Sequence, residues 1–277
     1  MIDPGSAAAA WRTSLDSWAI PSELVAASGR SPWGHAVSRF AVKADLDLAA
    51  PEGASYDAAA AALDAVELDT GRRASVLDVG AGAGAACLPL LHRVSALTAV
   101  DSDPAMLAAL TERAERLAAT PVCTISGRWP EVADEAGVHD VALCHHVLYD
   151  VPDIVPFLRA LTSAARGRVV VEVPPEHPMA WLNPLFAQFH GLERPTGPTV
   201  DDLVAVLHEL GIAALSVERW TRLEHGSPTG QERVALVTRR LVLPAEREPD
   251  VAAALAAHAE PSLRRVVTLS WAGTGTG

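Results

Sequence analysis

The sequence predicts an α/β fold: a doubly wound, mostly parallel sheet preceded by a helical N-terminal cap. The short apolar run at residues 76–79 leads directly into a glycine-rich loop, which is typical of a buried parallel strand that ends at a ligand. After Asp101, strand-like apolar runs alternate with segments of helical periodicity, and this alternation indicates a parallel sheet. The chain has 277 residues and 49% hydrophobic content, so we expect one large core and a small cap.

We place the cap at residues 1–55 and the main domain at residues 56–277. Helical patterns around residues 11–18 and from Ser22 predict the cap helices. The alanine-rich run at residues 56–68 has high helix propensity and leads into the first strand. Three side chains of the cap are candidate lid residues, although packing is the commoner role for such residues: Trp33, His35 and Phe40.

The glycine loop predicts a ligand that carries a ribose. Gly80, Gly82 and Gly84 allow a sharp turn and a close approach of the backbone to a ligand. Asp101 ends the second strand at about the spacing from which a carboxylate accepts hydrogen bonds from two ribose hydroxyls. Gly80, Gly82 and Ala85 also fit the relaxed dinucleotide fingerprint, so these residues leave a nicotinamide-dependent oxidoreductase open.

The longer motifs D-V-G-A-G-A-G and V-D-S-D-P-A-M-L resemble the first two motifs of class I S-adenosylmethionine-dependent methyltransferases. The resemblance implies a seven-stranded Rossmann-like sheet whose last strand is antiparallel. It further implies that Asp78 helps fix the cofactor's amino group, that Gly80, Ala81 and Gly82 lie along its methionine part, and that Asp101 holds the ribose. A cofactor without a pyrophosphate can use an acid close to its ammonium group, which agrees with Asp78.

The remaining predicted cofactor residues follow strands two, three and four: Ser102, Arg128, Trp129, Cys144 and His145. Arg128 stands where family members commonly have an acid, which puts the adenine contact in question. Trp129 could stack on the adenine ring, and a purely structural role is the alternative.

The end of strand four is the predicted catalytic region, because ligands of open parallel sheets bind at the carboxyl ends of the strands. The run C-H-H-V-L-Y resembles the corresponding segment of small-molecule methyltransferases. We favour His146 as a general base and assign His145 to the cofactor, since an imidazole can take a proton from a hydroxyl or amine near neutral pH. Tyr149 is a second candidate catalytic residue.

Residues 174–199 break the alternation of helices and strands and are predicted to form a lid over the substrate. Six prolines exclude one long helix here, and long irregular insertions in compact domains are often functional. Packing of the insertion on the sheet is the alternative for each of its aromatic side chains. The candidate substrate residues are His177, Trp181, Phe186 and His190.

The other elements follow from periodicity and capping. Asp103 and Pro104 predict a helix start, with Met106, Leu107, Leu110 and Leu117 on its buried side, and Thr199 with Asp202 predicts a capping box. The residues themselves do not show the last strand's direction, so its antiparallel orientation rests on the resemblance. The predicted strands are Val76–Val79, a second strand ending at Asp101, Val122–Ile125, Asp140–Cys144, Arg168–Val173, Leu215–Trp220 and Arg264–Trp271. The later predicted helices are Val151–Ala165, Val200–Leu210, Val234–Leu241 and Val251–His258.

Composition limits the partners. With 22 basic and 34 acidic residues the formal net charge is −12, which disfavours a nucleic-acid substrate. We expect no membrane span, no export signal and therefore a cytoplasmic protein, with free cysteines and no metal site. A homodimer is left open.

The function predicted from these observations is methyl transfer from S-adenosylmethionine to a small-molecule acceptor. The sequence leaves O-, N- and C-methylation unresolved. Three alternatives remain at this stage: an NAD(P)-dependent oxidoreductase, a protein that binds S-adenosylmethionine without turnover, and a methyltransferase with a protein or RNA acceptor.

Overall fold

The computed structural model describes residues 5–29, 31–32, 36–117, 120–212, 214–223, 229–257 and 263–276. These residues form a seven-stranded sheet in the order β3-β2-β1-β4-β5-β7-β6. The strands are β1 (Ser75–Val79), β2 (Ala96–Asp101), β3 (Val122–Ser126), β4 (His139–His145), β5 (Ala165–Val173), β6 (Ser216–Leu223) and β7 (Leu263–Ala272). The predicted doubly wound sheet is confirmed.

The direction of the last strand is settled by its pairing. β7 lies between β5 and β6 and runs antiparallel to both, whereas β1 pairs in parallel with β2 and β4. The carboxyl ends of β1, β2, β4 and β5 therefore meet at one edge of the sheet, which is where an open α/β sheet binds its ligands.

Helices cover both faces of the sheet. They are α1 (Ala7–Asp16), α2 (Ser22–Ser28), α3 (Val37–Ala49), α4 (Ala54–Thr70), α5 (Pro104–Leu117), α6 (Ala133–Ala136), α7 (Ile154–Ser163), α8 (Asn183–His190), α9 (Val200–Glu209), α10 (Gly230–Arg240) and α11 (Glu248–Ala257). Thr199 and Asp202 form the predicted capping box at the start of α9. No helix among the described residues is long and apolar enough to cross a membrane.

One local prediction differs from the structure, on the helix that follows β2. Before β2, the segment after the glycine loop is a 3₁₀ helix, Leu88–Arg93, because only eleven residues separate Gly84 from Ala96 and Pro89 donates no backbone hydrogen bond. Leu117, predicted on the buried side of α5, is 37% exposed. Arg113 is buried on this helix instead, because its guanidinium pairs with Asp45 of α3.

The core has one apolar cluster on each face of the sheet. Leu77, Val79 and Cys144 belong to the cluster under α7 and α9, while Val76 and Leu143 belong to the cluster under α4 and α5. Successive residues of a strand point to opposite faces, which explains this division. A third cluster joins the insertion to α10 and α11.

The N-terminal helices are attached to both faces. α1 contacts α9 and α7, and the indole Nε1 of Trp11 donates to the Val151 carbonyl at 2.9 Å. α3 lies against α5 on the other face, where Arg113 donates two hydrogen bonds of 2.8 and 2.9 Å to Asp45. The boundary at residue 55 stays a prediction, since α4 begins at Ala54 and packs directly on β4, β5 and β7.

Candidate functional site

The glycine loop is held against β2 by backbone hydrogen bonds. The N–H groups of Gly80 and Ala81 both donate to the Val100 carbonyl, at 2.8 and 3.0 Å. Gly80 has φ +73°, and a Cβ atom there would lie 2.2 Å from Cγ2 of Val147. Glycine is required at this position by both the backbone conformation and the closeness of the loop after β4.

Asp101 connects β2 to the glycine loop. Its Oδ2 accepts the Gly82 N–H at 2.8 Å, and its Oδ1 accepts the Asp103 N–H at 2.9 Å. Each carboxylate oxygen can accept a further hydrogen bond, so two hydroxyl donors could still be bound. A Cβ atom on Gly82 would meet nothing within 4 Å, so the loop is open at the residue that Asp101 holds.

Asp78 is a buried acid with no hydrogen-bond partner among the described residues. The residue is 1% exposed, and neither carboxylate oxygen is satisfied. Burial raises the pKa of Asp78 to about 7, against the opposing effect of the Cys87 thiol and with a further increase from the charge of Asp101. A buried polar group without a partner calls for an explanation, and a ligand with a cationic group would supply one. These residues therefore fit a ligand that has both an ammonium group and a pair of hydroxyls.

His145, the last residue of β4, and His146, which follows it, have different surroundings. The Nε2 atom of His145 is buried without a partner among the described residues, and burial lowers the pKa of His145 to about 4, with Glu172 opposing. The side chain of His146 is 32% exposed, and its Nε2 lies 2.8 Å from Oε1 of Glu172. At neutral pH, His145 is therefore uncharged, while His146 forms a pair with a carboxylate.

Glu172 is the functional candidate that sequence reasoning missed. It lies on β5 and is 3% exposed. Nη1 of Arg222 on β6 lies 3.8 Å from Oε1 of Glu172, and Nη2 of Arg222 donates to Asp47 of α3 at 2.5 Å. Arg222 therefore connects Glu172 to the N-terminal cap. Lys43 also pairs with Asp47. Burial alone would raise the pKa of Glu172, but the nearby imidazoles of His146 and His145 hold it below its usual value. A single acid within V-V-V-E-V was the available signal.

Tyr149 and His177 contact each other, and each also packs against an aromatic residue of α1 or of the segment that follows α1. The Tyr149 ring stacks on Trp11 with ring centroids 5.5 Å apart, and its hydroxyl donates to the Pro174 carbonyl at 3.0 Å. His177 stacks on Trp18 at 3.7 Å and meets Tyr149 edge-on at 5.7 Å. These contacts give both residues packing partners in the fold.

The other predicted cofactor residues are spread over three environments. Ser102 and Arg128 are exposed. Trp129 packs against Phe157 of α7 and donates from Nε1 to its carbonyl at 3.2 Å. Cys144 is fully buried in the cluster under α7 and α9, on the face of the sheet opposite to Asp78, so its side chain contributes to the core.

The predicted substrate residues of the insertion do not form one group. Trp181 is 49% exposed, Phe186 is buried in the cluster with α10 and α11, and His190 Nε2 lies 2.6 Å from the Leu241 carbonyl. Of the candidate lid residues, Phe40 is exposed on α3. Trp33 and His35 lie outside the described residues.

Among the described residues, no three His, Cys, Asp or Glu side chains are grouped so that they could hold a metal ion.

Comparison with known proteins agrees with this arrangement. Residues 76–167 match a family described as a methyltransferase domain. No curated protein sequence matches the chain significantly.

The chain is similar to several solved structures at low sequence identity. Magnesium protoporphyrin IX methyltransferase from Synechocystis PCC 6803 with bound SAH has a TM-score of 0.50 and 14% identity, covering 79% of this chain and 83% of that one. The YcgJ protein from Bacillus subtilis has a TM-score of 0.48 and 16% identity, covering 79% of this chain and 100% of that one. The plantazolicin methyltransferase BamL in complex with SAH has a TM-score of 0.48 and 13% identity, covering 96% and 98%.

Proposed function

We propose that this chain, which belongs to the class I S-adenosylmethionine-dependent methyltransferases, transfers a methyl group to a small-molecule acceptor at the carboxyl edge of its sheet. The observation that carries the proposal is the pair of acids at the glycine loop. Asp78 is buried without a partner, and Asp101 holds Gly82 while it keeps acceptor capacity for two more donors.

The cofactor is assigned to this loop residue by residue. The Asp78 carboxylate would pair with the amino group, the backbone from Gly80 to Gly82 would lie along the methionine part, and Asp101 would accept from the ribose hydroxyls. Ser102, Arg128 and His145 stay candidates for further contacts. When bound, the cofactor supplies an electrophilic methyl group on a sulfonium, so the chain's own task is to position the acceptor and exclude water.

His146 is the proposed general base. It follows β4, the strand next to β1, and the side chain of the next residue, Val147, lies directly against the glycine loop at Gly80. A base in this position would take a proton from the acceptor as the new bond forms. His146→Ala should therefore lower turnover much more than it weakens binding of S-adenosylhomocysteine.

The elements around the carboxyl edge of the sheet support a small acceptor. The N-terminal helices are attached on both faces of the sheet, and Pro174 and His177 at the start of the insertion contact Tyr149 and the segment after α1. The net charge of −12 also disfavours a polyanionic acceptor.

Calorimetry and methyl labelling test the proposal together. The protein should bind S-adenosylhomocysteine, and Asp101→Ala should bind it more weakly. With tritiated methyl donor and a cell extract, label should enter the low-molecular-weight fraction only when the protein is present. Label confined to protein or RNA would refute the small-molecule acceptor, and absence of S-adenosylhomocysteine binding would refute the cofactor assignment.

A further inference from the structure

Three helices at the carboxyl edge of the sheet share a core of their own. The insertion after β5 and the segment after β6 both leave the sheet at this edge, because β5 and β6 each run antiparallel to β7. α8 of the insertion packs with α10 and α11 in one apolar cluster, and Nε2 of His190 lies 2.6 Å from the Leu241 carbonyl oxygen at the end of α10. We call α8, α10 and α11 the helical module. The module therefore stands on the same edge of the sheet as the cofactor loop.

Asp150 lies close to the cofactor loop and to α10. Its N–H donates to the Val147 carbonyl at 2.9 Å, and the Val147 side chain lies against Gly80. Asp150 is exposed to solvent, and yet burial by the surrounding protein raises the pKa of its carboxyl, with the charge of Arg240 opposing. A side chain that has solvent contact and is also surrounded by protein lines a cleft. We therefore place a cleft between the cofactor loop and α10.

Three guanidinium groups meet at this cleft. Arg239 and Arg240 end α10, and Arg39 lies in the first turn of α3. Burial lowers the pKa of Arg240, the charges of Arg239 and Arg39 lower it further, and the charge of Asp150 opposes them. The Nε atoms of Arg39 and Arg239 are buried as well. Among the described residues, positive charge thus exceeds negative charge around Arg240, in a chain whose formal net charge is −12.

The start of α3 adds to the positive potential. A cation in the first turn of a helix is opposed by the helix dipole, so the position of Arg39 is unfavourable for the helix itself. The N-cap residue, Ala36, has no side chain that accepts from the first N–H groups. An anion in the cleft would be attracted both by the arginines and by this end of α3.

The backbone after Arg240 has an uncommon conformation. Val242 has φ +54°, which a β-branched residue rarely adopts, and it is 4% exposed. Its N–H donates to the Arg239 carbonyl, and the Leu243 N–H donates to the Thr238 carbonyl, both at 3.0 Å. Strain of this kind persists only where the surrounding structure imposes it, and it is commonest at ligand sites. The turn fixes where α10 ends and so fixes its two arginines.

We propose that Arg240, Arg239 and Arg39 bind an anionic group of the acceptor, a carboxylate or a phosphate, and that the methyl group is transferred to another atom of the same molecule. The inference rests on the proposed function and deepens it, since it names the acceptor class as a small molecule with a negative charge.

The chemistry of the guanidinium group suits this task. Each guanidinium has five N–H donors in one plane and matches two oxygens of a carboxylate or a phosphate. All three arginines also make other interactions within the protein, which hold them in place, and five donors are enough to bond to the protein and to a ligand together. A bound anion would offset the mutual repulsion of the three cations, and a cleft screens this attraction less than an open surface does.

The arginines take no part in the bond changes. The nucleophilic atom of the acceptor supplies the electron pair for its new bond to the methyl carbon, and the electrons of the broken sulfur–carbon bond remain on sulfur. Any proton that the nucleophile loses passes to His146, the proposed base. The anionic group therefore keeps its charge in the product.

Stabilisation of the end of α10 is the alternative role for Arg239 and Arg240, because cations near the C-terminus of a helix interact favourably with its dipole. That role does not involve Arg39 of another helix, and it is served equally well by lysine. The two roles therefore predict different results for Arg39→Ala and for Arg240→Lys.

The charge of the labelled product tests the acceptor class on the wild type. The protein is incubated with tritiated methyl donor and a cell extract, and the low-molecular-weight products are passed over an anion-exchange resin at about pH 8, where carboxylates and phosphates are ionised. We expect the protein-dependent label to be retained and to elute with salt. Phosphatase treatment then distinguishes the two sources, because a phosphate monoester loses its retention and a carboxylate does not.

Substitutions test the residues without an identified acceptor, because dilution of the extract gives a half-saturating concentration. Arg240→Ala and Arg39→Ala should each raise this concentration about 10- to 100-fold, with the maximal rate and the S-adenosylhomocysteine affinity nearly unchanged. Arg240→Lys keeps the charge at the end of α10 and should still raise it several-fold, because the planar fork is lost. Arg219→Ala, at an exposed ion pair on β6, is the matched control and should stay within about twofold of the wild type.

The outcomes separate this inference from the proposed function. Protein-dependent label that passes through the resin, or unchanged half-saturation in both Arg240→Ala and Arg39→Ala, overturns the anionic acceptor while the cofactor site stands. Equal losses of S-adenosylhomocysteine affinity and of rate in both variants overturn the role in acceptor binding, because they indicate general damage. A wild type that binds no S-adenosylhomocysteine, or that labels only protein or RNA, overturns the proposed function, and this inference with it.

Discussion

Replacing Asp78 by asparagine should make the ligand-free protein more stable at alkaline pH. The pKa of Asp78 is raised from 3.8 to about 7 by burial, and Asn has nearly the same shape without the charge. One pKa unit corresponds to about 1.4 kcal/mol, so ionising Asp78 in the folded protein costs up to about 4 kcal/mol. Asp78→Asn should recover most of this cost above about pH 7.

The sign follows from proton binding. Since the pKa of Asp78 is higher in the folded than in the unfolded state, the folded state binds more protons between about pH 4 and about pH 7. The free energy of unfolding should therefore fall as pH rises through this window. The other groups near Asp78 are Asp101, Cys87 and Cys144, and burial raises the pKa of both thiols well above neutral, so they stay protonated there.

Urea unfolding of both proteins between about pH 4.5 and about pH 8.5 measures the effect. The wild type and Asp78→Asn should have similar stability at the acidic end and separate as pH rises, while Asp69→Asn, at an exposed position on α4, should follow the wild type. A constant difference over this range would refute the reasoning. Asp78→Asn should also bind S-adenosylhomocysteine more weakly, and wild-type binding near pH 7 should release a proton, detectable by calorimetry in buffers of different ionisation enthalpy.

Three further substitutions probe the site. Asp101→Ala should weaken S-adenosylhomocysteine binding about 100-fold in calorimetry, because two charge-assisted hydrogen bonds to the ribose hydroxyls and the hydrogen bond to the Gly82 N–H are lost. Unchanged affinity would remove Asp101 from the site. Gly80→Ala should lower the free energy of unfolding by about 2 kcal/mol in urea titration, since the added Cβ would lie 2.2 Å from Val147 and the residue has a positive φ. Adding Val147→Ala should restore only part of the stability, because it relieves the clash and not the backbone conformation. Full stability in Gly80→Ala would contradict the loop geometry. Tyr149→Phe should lower the free energy of unfolding by about 1 kcal/mol, because the hydrogen bond from its hydroxyl to the Pro174 carbonyl is lost, and it should leave kcat within about twofold. A large fall in kcat at unchanged stability would support the catalytic role predicted from sequence.

Much of the site was predictable because it is local in the chain. The candidate cofactor loop and its two acids, Asp78 and Asp101, lie in one continuous segment, and a hydrogen bond joins Gly82 to Asp101. The contact between His146 and Glu172 was less predictable. These residues are 26 positions apart and meet only because β4 and β5 are neighbours in the sheet.

Several predicted aromatic contacts depended on packing that sequence periodicity does not contain. Tyr149 and His177 have partners on α1 and in the segment that follows it, whereas Phe186 and His190 contact the α10–α11 side of the molecule. A proline-rich insertion has no regular period, so the sequence does not tell which neighbour each side chain meets.

Local sequence was sufficient for the strand–loop–strand unit and the α/β class, because strands, turns and caps depend on residues close together in the chain. The cofactor was predicted from the resemblance of the two motifs to a known family. Tertiary structure alone decided two things: the unpaired burial of Asp78, and the contact between His146 and Glu172. Each of these depends on which segments become neighbours when the core closes. Burial and partner choice, which decide the charge state of an acid, exist only after the sheet has formed.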